Sequence, residues 1–129
     1  MNHKVTWGFL ILVLIQGLHS IEEYFGELWD VFPPAIWLTG LVSDDREWAF
    51  NVINIGLFLI GLICWLFIVR KNKPFAKTIV WFWIILELIN GVIHPTWSYM
   101  QNGYTPGVFT AFLLFITSVY LIGAFYRKF

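Results

Sequence analysis

Two short sets of side chains in this chain have types and spacing suited to chemistry. His19, Glu22 and Glu23 occupy positions i, i+3 and i+4 of one segment, and Glu87, Asn90 and His94 occupy i, i+3 and i+7 of another. On a helix, each set falls on one face. Histidine exchanges protons near neutral pH, and a carboxylate beside it can act as a general acid or base. The candidate catalytic residues are therefore His19, Glu22, Glu23, Glu87 and His94. The same types also suit a metal: two histidines and one carboxylate, with a position left open, hold catalytic zinc or non-haem iron. His19, Glu22 and His94 form the expected ligand set. Glu87 and His94 are about 10 Å apart in helical rise, too far to share one ion on an unbroken helix.

Further residues could position a substrate. Asn51, Asn54 and Asn90 offer both hydrogen-bond donors and acceptors, while Trp29, Trp48 and Trp97 could wall an outward-side cavity. His19, Glu87, Asn54 and Asn90 are expected at a deeper level. Glu22 or Glu23, Asn51 and His94 are expected nearer the outer edge. Two chemistries fit: proton transfer between Glu87 and His19, or metal-assisted hydrolysis or oxidation.

The elements that must carry these groups are apolar. The chain has 129 residues, 59% of them hydrophobic and 12% charged. A soluble domain of this size could not bury that much apolar surface. The runs Val5–Leu18, Val52–Val69, Ile79–Val92 and Val108–Gly123 reach or approach spanning length once their flanks are included. The expected fold is all-α: a polytopic membrane protein with four transmembrane helices in one domain, 1–129, with helices at about 4–29, 46–69, 75–97 and 106–126. Pro33 and Pro34 should end the first helix. Asp44 and Glu47 have capping-box spacing for the second, and Thr105 and Pro106 have the types expected at the start of the fourth. The apolar connection Ala35–Ser43 should lie along the interface or fold back over the bundle.

Charge is one-sided along this pattern. Lys4, Arg70, Lys71, Lys73, Lys77, Arg127 and Lys128 fall on one side of the expected spans, and only Arg46 falls on the other. The positive-inside rule then places both termini in the cytoplasm and the polar sets towards the outer leaflet. Ionisable groups within spans are costly and mark functional sites. The expected function is an enzyme acting on a lipid-like or isoprenoid substrate by acid-base or metal-assisted chemistry, in a prokaryotic cytoplasmic membrane. The alternatives are a non-catalytic carrier or binding protein for an apolar ligand or cation, and a structural membrane subunit. The expected partner is a membrane lipid or apolar small molecule, and a homodimer is compatible with four helices. No basic patch points to nucleic acid, and the lone Cys64 excludes an internal disulfide.

His19-Ser20-Ile21-Glu22-Glu23 reads as H-x-x-E-E at the far end of a first apolar helix. With the later Glu87-x-x-Asn90-x-x-x-His94 element, the chain resembles the HXXEE-motif family of small integral membrane proteins along nearly its whole length. That family takes its name from a motif. The resemblance therefore marks His19, Glu22 and Glu23 and carries no reaction with it.

Overall fold

A computed structural model describes residues 1–127; Lys128, counted above among the basic charges, lies outside the described residues. The chain is all-α, in the order α1 (His3–Phe25), α2 (Leu28–Val31), α3 (Pro33–Val42), α4 (Arg46–Cys64), α5 (Ala76–Gln101) and α6 (Val108–Tyr126). A π-helical turn, Trp65–Val69, extends α4. Four helices are long and apolar enough to cross a membrane: α1, α4 with its π turn, α5 and α6. Helices suit that setting because they satisfy their backbone groups internally where no water can. This is an integral membrane protein.

The helix ends differ from the sequence reading in instructive ways. The first helix stops at Phe25 rather than Trp29, because Gly26 and then Glu27, at φ 52°, turn the chain. A side chain at Gly26 could not fit, since its Cβ would lie 2.1 Å from Pro106 Cγ. Pro33 and Pro34 do not simply break a helix; they start α3, where a missing amide donor costs nothing. The connection expected to lie on the interface or fold back is thus a helix that packs on α4. Asp45, not Asp44, caps α4 by accepting from the Trp48 amide at 3.1 Å. Pro95 is accommodated inside α5, which continues past the expected end at Trp97 to Gln101.

α6 packs against both α1 and α5, and α4 lies against α1. One apolar core fills the half nearest the basic helix ends, around Phe9, Leu12, Val80, Trp83, Leu114 and Leu121. A smaller cluster of Leu28, Trp29 and Phe50 closes the opposite end, with Phe32 and Trp97 packed on it. The basic ends are tied together: the Met1 amino group donates to Asn72 Oδ1 at 3.0 Å, and Asn2 Nδ2 donates to the Ala124 carbonyl at 2.8 Å. Polar side chains gather between the two apolar clusters.

A candidate metal centre between two apolar clusters

A position about two turns before the end of α5 and the last two turns of α1 bring His19, Glu23 and His94 together. All three are buried. His19 Nε2 lies 3.4 Å from Glu23 Oε1, and His94 Nε2 lies 3.5 Å from Glu23 Oε2. One ligand atom from each residue lies within 4.8 Å of the others. The imidazoles meet edge to face, with centroids 4.6 Å apart and planes at 89°.

What lies behind each ring decides which nitrogen faces inward. His94 Nδ1 is 3.0 Å from the Pro106 carbonyl. A carbonyl only accepts, so Nδ1 carries the hydrogen and Nε2 of the neutral ring presents a lone pair. His19 Nδ1 is 2.7 Å from Thr110 Oγ1. That hydroxyl donates to Glu22 Oε1 at 2.6 Å, with the Gly107 carbonyl as its other acceptor at 3.3 Å. Its single proton is thereby used, and its oxygen accepts from His19. Both histidines therefore turn lone pairs towards the Glu23 carboxylate, which accepts no hydrogen bond from any described residue.

Three electron-rich groups facing one another repel until a cation lies between them. A proton bridges only one of those contacts, whereas a divalent ion meets all three. Ligands at the usual zinc distances, in a tetrahedron, stand about 3.3–3.4 Å apart, close to the separation of each imidazole nitrogen from its nearer Glu23 oxygen. Histidine ligands commonly donate their other ring N–H to a group behind, which fixes the tautomer. Both histidines have such a partner here. The arrangement can hold a metal ion.

Glu22 is expected beside His19 as a metal ligand, but the structure gives it another task. Its Oε2 accepts from the Gly107 amide at 3.0 Å, the Phe109 amide at 3.3 Å and the Tyr104 hydroxyl at 2.9 Å. Its Oε1 accepts from both the amide and hydroxyl of Thr110, at 2.8 and 2.6 Å. α6 has no acidic residue in its first turn and no cap from its own N-cap residue, Gly107. A carboxylate on α1 therefore satisfies the unpaired amides of α6 and sits at the positive end of its dipole. Thr105, expected as the cap, instead pairs with the Ser98 hydroxyl.

Gly107 completes the centre by being small. Its φ of 95° lies in the left-handed region, and a Cβ there would come within 2.6 Å of His94 and 2.9 Å of His19. Any side chain would strain the turn and strike both rings.

The remaining predicted residues divide. Glu87 is fully buried, but it accepts from Asn90 Nδ2 at 2.9 Å through Oε2, and its Oε1 has no partner among the described residues. Glu87 makes no hydrogen bond to His19, with which it is expected to exchange a proton. Asn90 and Asn54 line a cavity of about 250 Å³ with His19, Glu23 and His94. Asn54 accepts from Ser20 Oγ at 2.9 Å, and its Nδ2 donates to the Phe50 carbonyl at 2.9 Å. Asn51 does not reach this cavity; it lines a separate groove between α1 and α4. Trp97 meets Phe32 at a tilt of 36°, centroids 4.5 Å apart, with Phe32 5.8 Å from the His94 ring. Trp29 is buried against Phe50 and does not line the cavity, while Trp48 is exposed on the outside of α4.

Sequence reasoning missed Thr110, Gly107, Tyr104 and the Pro106 carbonyl. It also missed Gln16, which lines the cavity and accepts from Trp83 Nε1 at 3.4 Å. One signal was present for the first group: a Pro-Gly turn followed by a span with no acid of its own needs a cap from elsewhere.

The class is thus a small integral membrane protein of four spanning helices with a buried His/Glu/His cluster able to coordinate a metal. The chain belongs to the family described as "Protein of unknown function with HXXEE motif", whose model matches residues 7–121. No curated protein and no solved structure matches it.

Proposed function

We propose that this protein is a membrane metalloenzyme that acts on the polar end of a lipid-like or isoprenoid molecule. His19, Glu23 and His94 hold the ion, either zinc or iron, because imidazole and carboxylate suit both. One observation carries the reading: two imidazoles, each locked from behind, aim Nε2 lone pairs at a carboxylate that accepts no hydrogen bond from any described residue. A bound divalent ion would supply Lewis-acid activation of a water or carbonyl. Gln16, Asn54 and Asn90 line the same cavity and supply donors and acceptors to orient the substrate. Leu28, Phe32, Leu38 and Leu57 give the rest of the cavity an apolar wall.

The placement is proposed on charge. Lys4, Arg70, Lys71, Lys73, Lys77 and Arg127 stand at one end of the bundle. Positive-inside logic makes that end cytoplasmic, so both termini face the cytoplasm and the centre lies towards the outer leaflet of a prokaryotic cytoplasmic membrane.

A second reading, acid-base chemistry without an ion, rests on Glu87 and its unpartnered Oε1. Elemental analysis of protein purified in mild detergent, metal-replete and without chelators, separates the two. One equivalent of zinc or iron per chain is expected, lost in His19→Ala, Glu23→Ala and His94→Ala and kept in Trp48→Ala. Metal-free wild-type protein would defeat the metalloenzyme reading and move attention to Glu87.

A further inference from the structure

A second, larger concavity adjoins the metal centre. A groove of about 640 Å³ lies between α1 and α4, within the size range of small-molecule sites. Its α1 wall runs from Leu14 through Gly17 and Ile21 to Phe25, positions three to four apart and therefore one stripe along the helix. Facing it on α4 are Phe50, Asn54 and Phe58, again one stripe. The groove is therefore long and parallel to the helices, about 16 Å from Leu14 to Phe25 by helical rise. Its open side is the lipid face, where Leu18, Ile21 and Ile55 are each about half exposed.

The groove and the cavity of the centre share a wall. Ser20, Phe50 and Asn54 line both the groove and the metal cavity. Within that wall, Ser20 Oγ donates to Asn54 Oδ1 at 2.9 Å. A ligand hydroxyl or carboxyl could replace that bond with one of its own, at little net loss. Gly17 sets the depth of the groove, since a Cβ there would meet the Phe58 ring at 2.9 Å.

We infer that the α1–α4 groove binds the hydrocarbon tail of a single-chain lipid whose polar end passes between Ser20 and Asn54 to the His19/Glu23/His94 centre. The tail lies parallel to the helices, as bilayer chains do, and points towards Leu14 and Phe58. A slot that runs about 16 Å along two helices suits one linear chain. This assignment rests on the proposed function for what happens to the polar end, but tail binding can be tested without it.

The probe is a long-chain fatty acid carrying a diazirine in mid-chain, incorporated into phosphatidylcholine nanodiscs with the full-length protein. Saturable cross-links confined to residues 14–25 and 50–58 are expected, displaced by unlabelled fatty acid. Ile55→Trp fills the groove and should weaken this labelling roughly tenfold. Val119→Trp, on the lipid-exposed side of α6, should leave it unchanged. Labels spread over every lipid-facing helix, or insensitive to Ile55→Trp, would overturn the groove assignment. Metal content measured on the same samples keeps the two ideas apart. Saturable labelling without any metal would uphold the groove and sink the metalloenzyme reading, and bound metal with unsaturable labelling would do the reverse.

Discussion

Glu22 and Glu23 are neighbours in the chain and opposites in their surroundings. Glu22, at the start of α6, receives five hydrogen bonds: three from backbone amides and two from the hydroxyls of Tyr104 and Thr110. Glu23, one position further round α1, accepts no hydrogen bond from any described residue and meets two imidazole nitrogens, at 3.4 and 3.5 Å. A carboxylate whose lone pairs are filled by donors joins two helices and is stable as it stands. A buried carboxylate facing other acceptors lacks a compensating charge, and such a group is costly until a cation arrives. The saturated region holds the architecture, and the unsaturated region is the one able to take a cation. Thr110 Oγ1 bonds to both regions, donating to Glu22 and accepting from His19.

Exchanging the two glutamates for neutral residues should break the molecule in different ways. Glu23→Gln is expected to abolish stoichiometric metal, while Glu22→Gln should retain it at reduced affinity. In the metal-free protein the stabilities should diverge. Glu22→Ala should lose about 2–3 kcal/mol, the usual worth of bonds to a charged acceptor. Glu23→Ala should be neutral or stabilising, because it removes an uncompensated carboxylate. Unfolding by SDS titration in mixed micelles reads both, and equal losses at the two positions would erase the contrast.

Thr110 tests the contact between the regions. Thr110→Val removes the hydroxyl that accepts from His19 and should lower metal affinity about 10–100-fold, as lost partners behind metal-binding histidines do. Thr110→Ser should restore it, because Ser keeps the oxygen and loses only a methyl group. Competition against a chelating dye gives the numbers. Failure of Ser to rescue would assign the effect to packing and not to the hydrogen bond.

The smallest expected effect lies at the rim. Tyr104 is outside the spans, and burial followed by its bond to Glu22 pushes its hydroxyl up to about 12. Its ordinary value is about 10. The neutral hydroxyl is thus favoured in the folded protein. Its contribution to stability is complete below the unfolded value and is lost as pH rises through the folded one. Ultraviolet titration of wild type against Tyr104→Phe should place this tyrosine near 12, and a midpoint at the ordinary value would remove Tyr104 from the group holding Glu22.

Much of this centre was legible in the residues themselves. Helical spacing put His19, Glu22 and Glu23 on a shared stretch of α1 and His94 on a matching stretch of α5. It could not choose between Glu22 and Glu23, because positions i+3 and i+4 are both neighbours of i on a helix. That choice depends on where the α6 amides lie, and no local pattern around Glu22 encodes their position. Thr110 was overlooked for the same reason: an isolated threonine in an apolar span looks like packing until His19 and Glu22 are seen on either side of it. Trp48 was misread in the opposite direction, because an interfacial tryptophan and a cavity wall look alike in one dimension.

The sequence by itself determined that four apolar segments span a membrane, that basic charge gathers at one end, and that acidic and imidazole groups gather towards the other. These follow from transfer energies and helical period, which are properties of each segment alone. Only the tertiary structure decided which carboxylate faces the histidines, which nitrogen each histidine turns inward, and that Gly107 leaves room for both rings. Those outcomes depend on contacts between helices far apart in the chain, where a single ångström of approach separates a hydrogen bond from a clash.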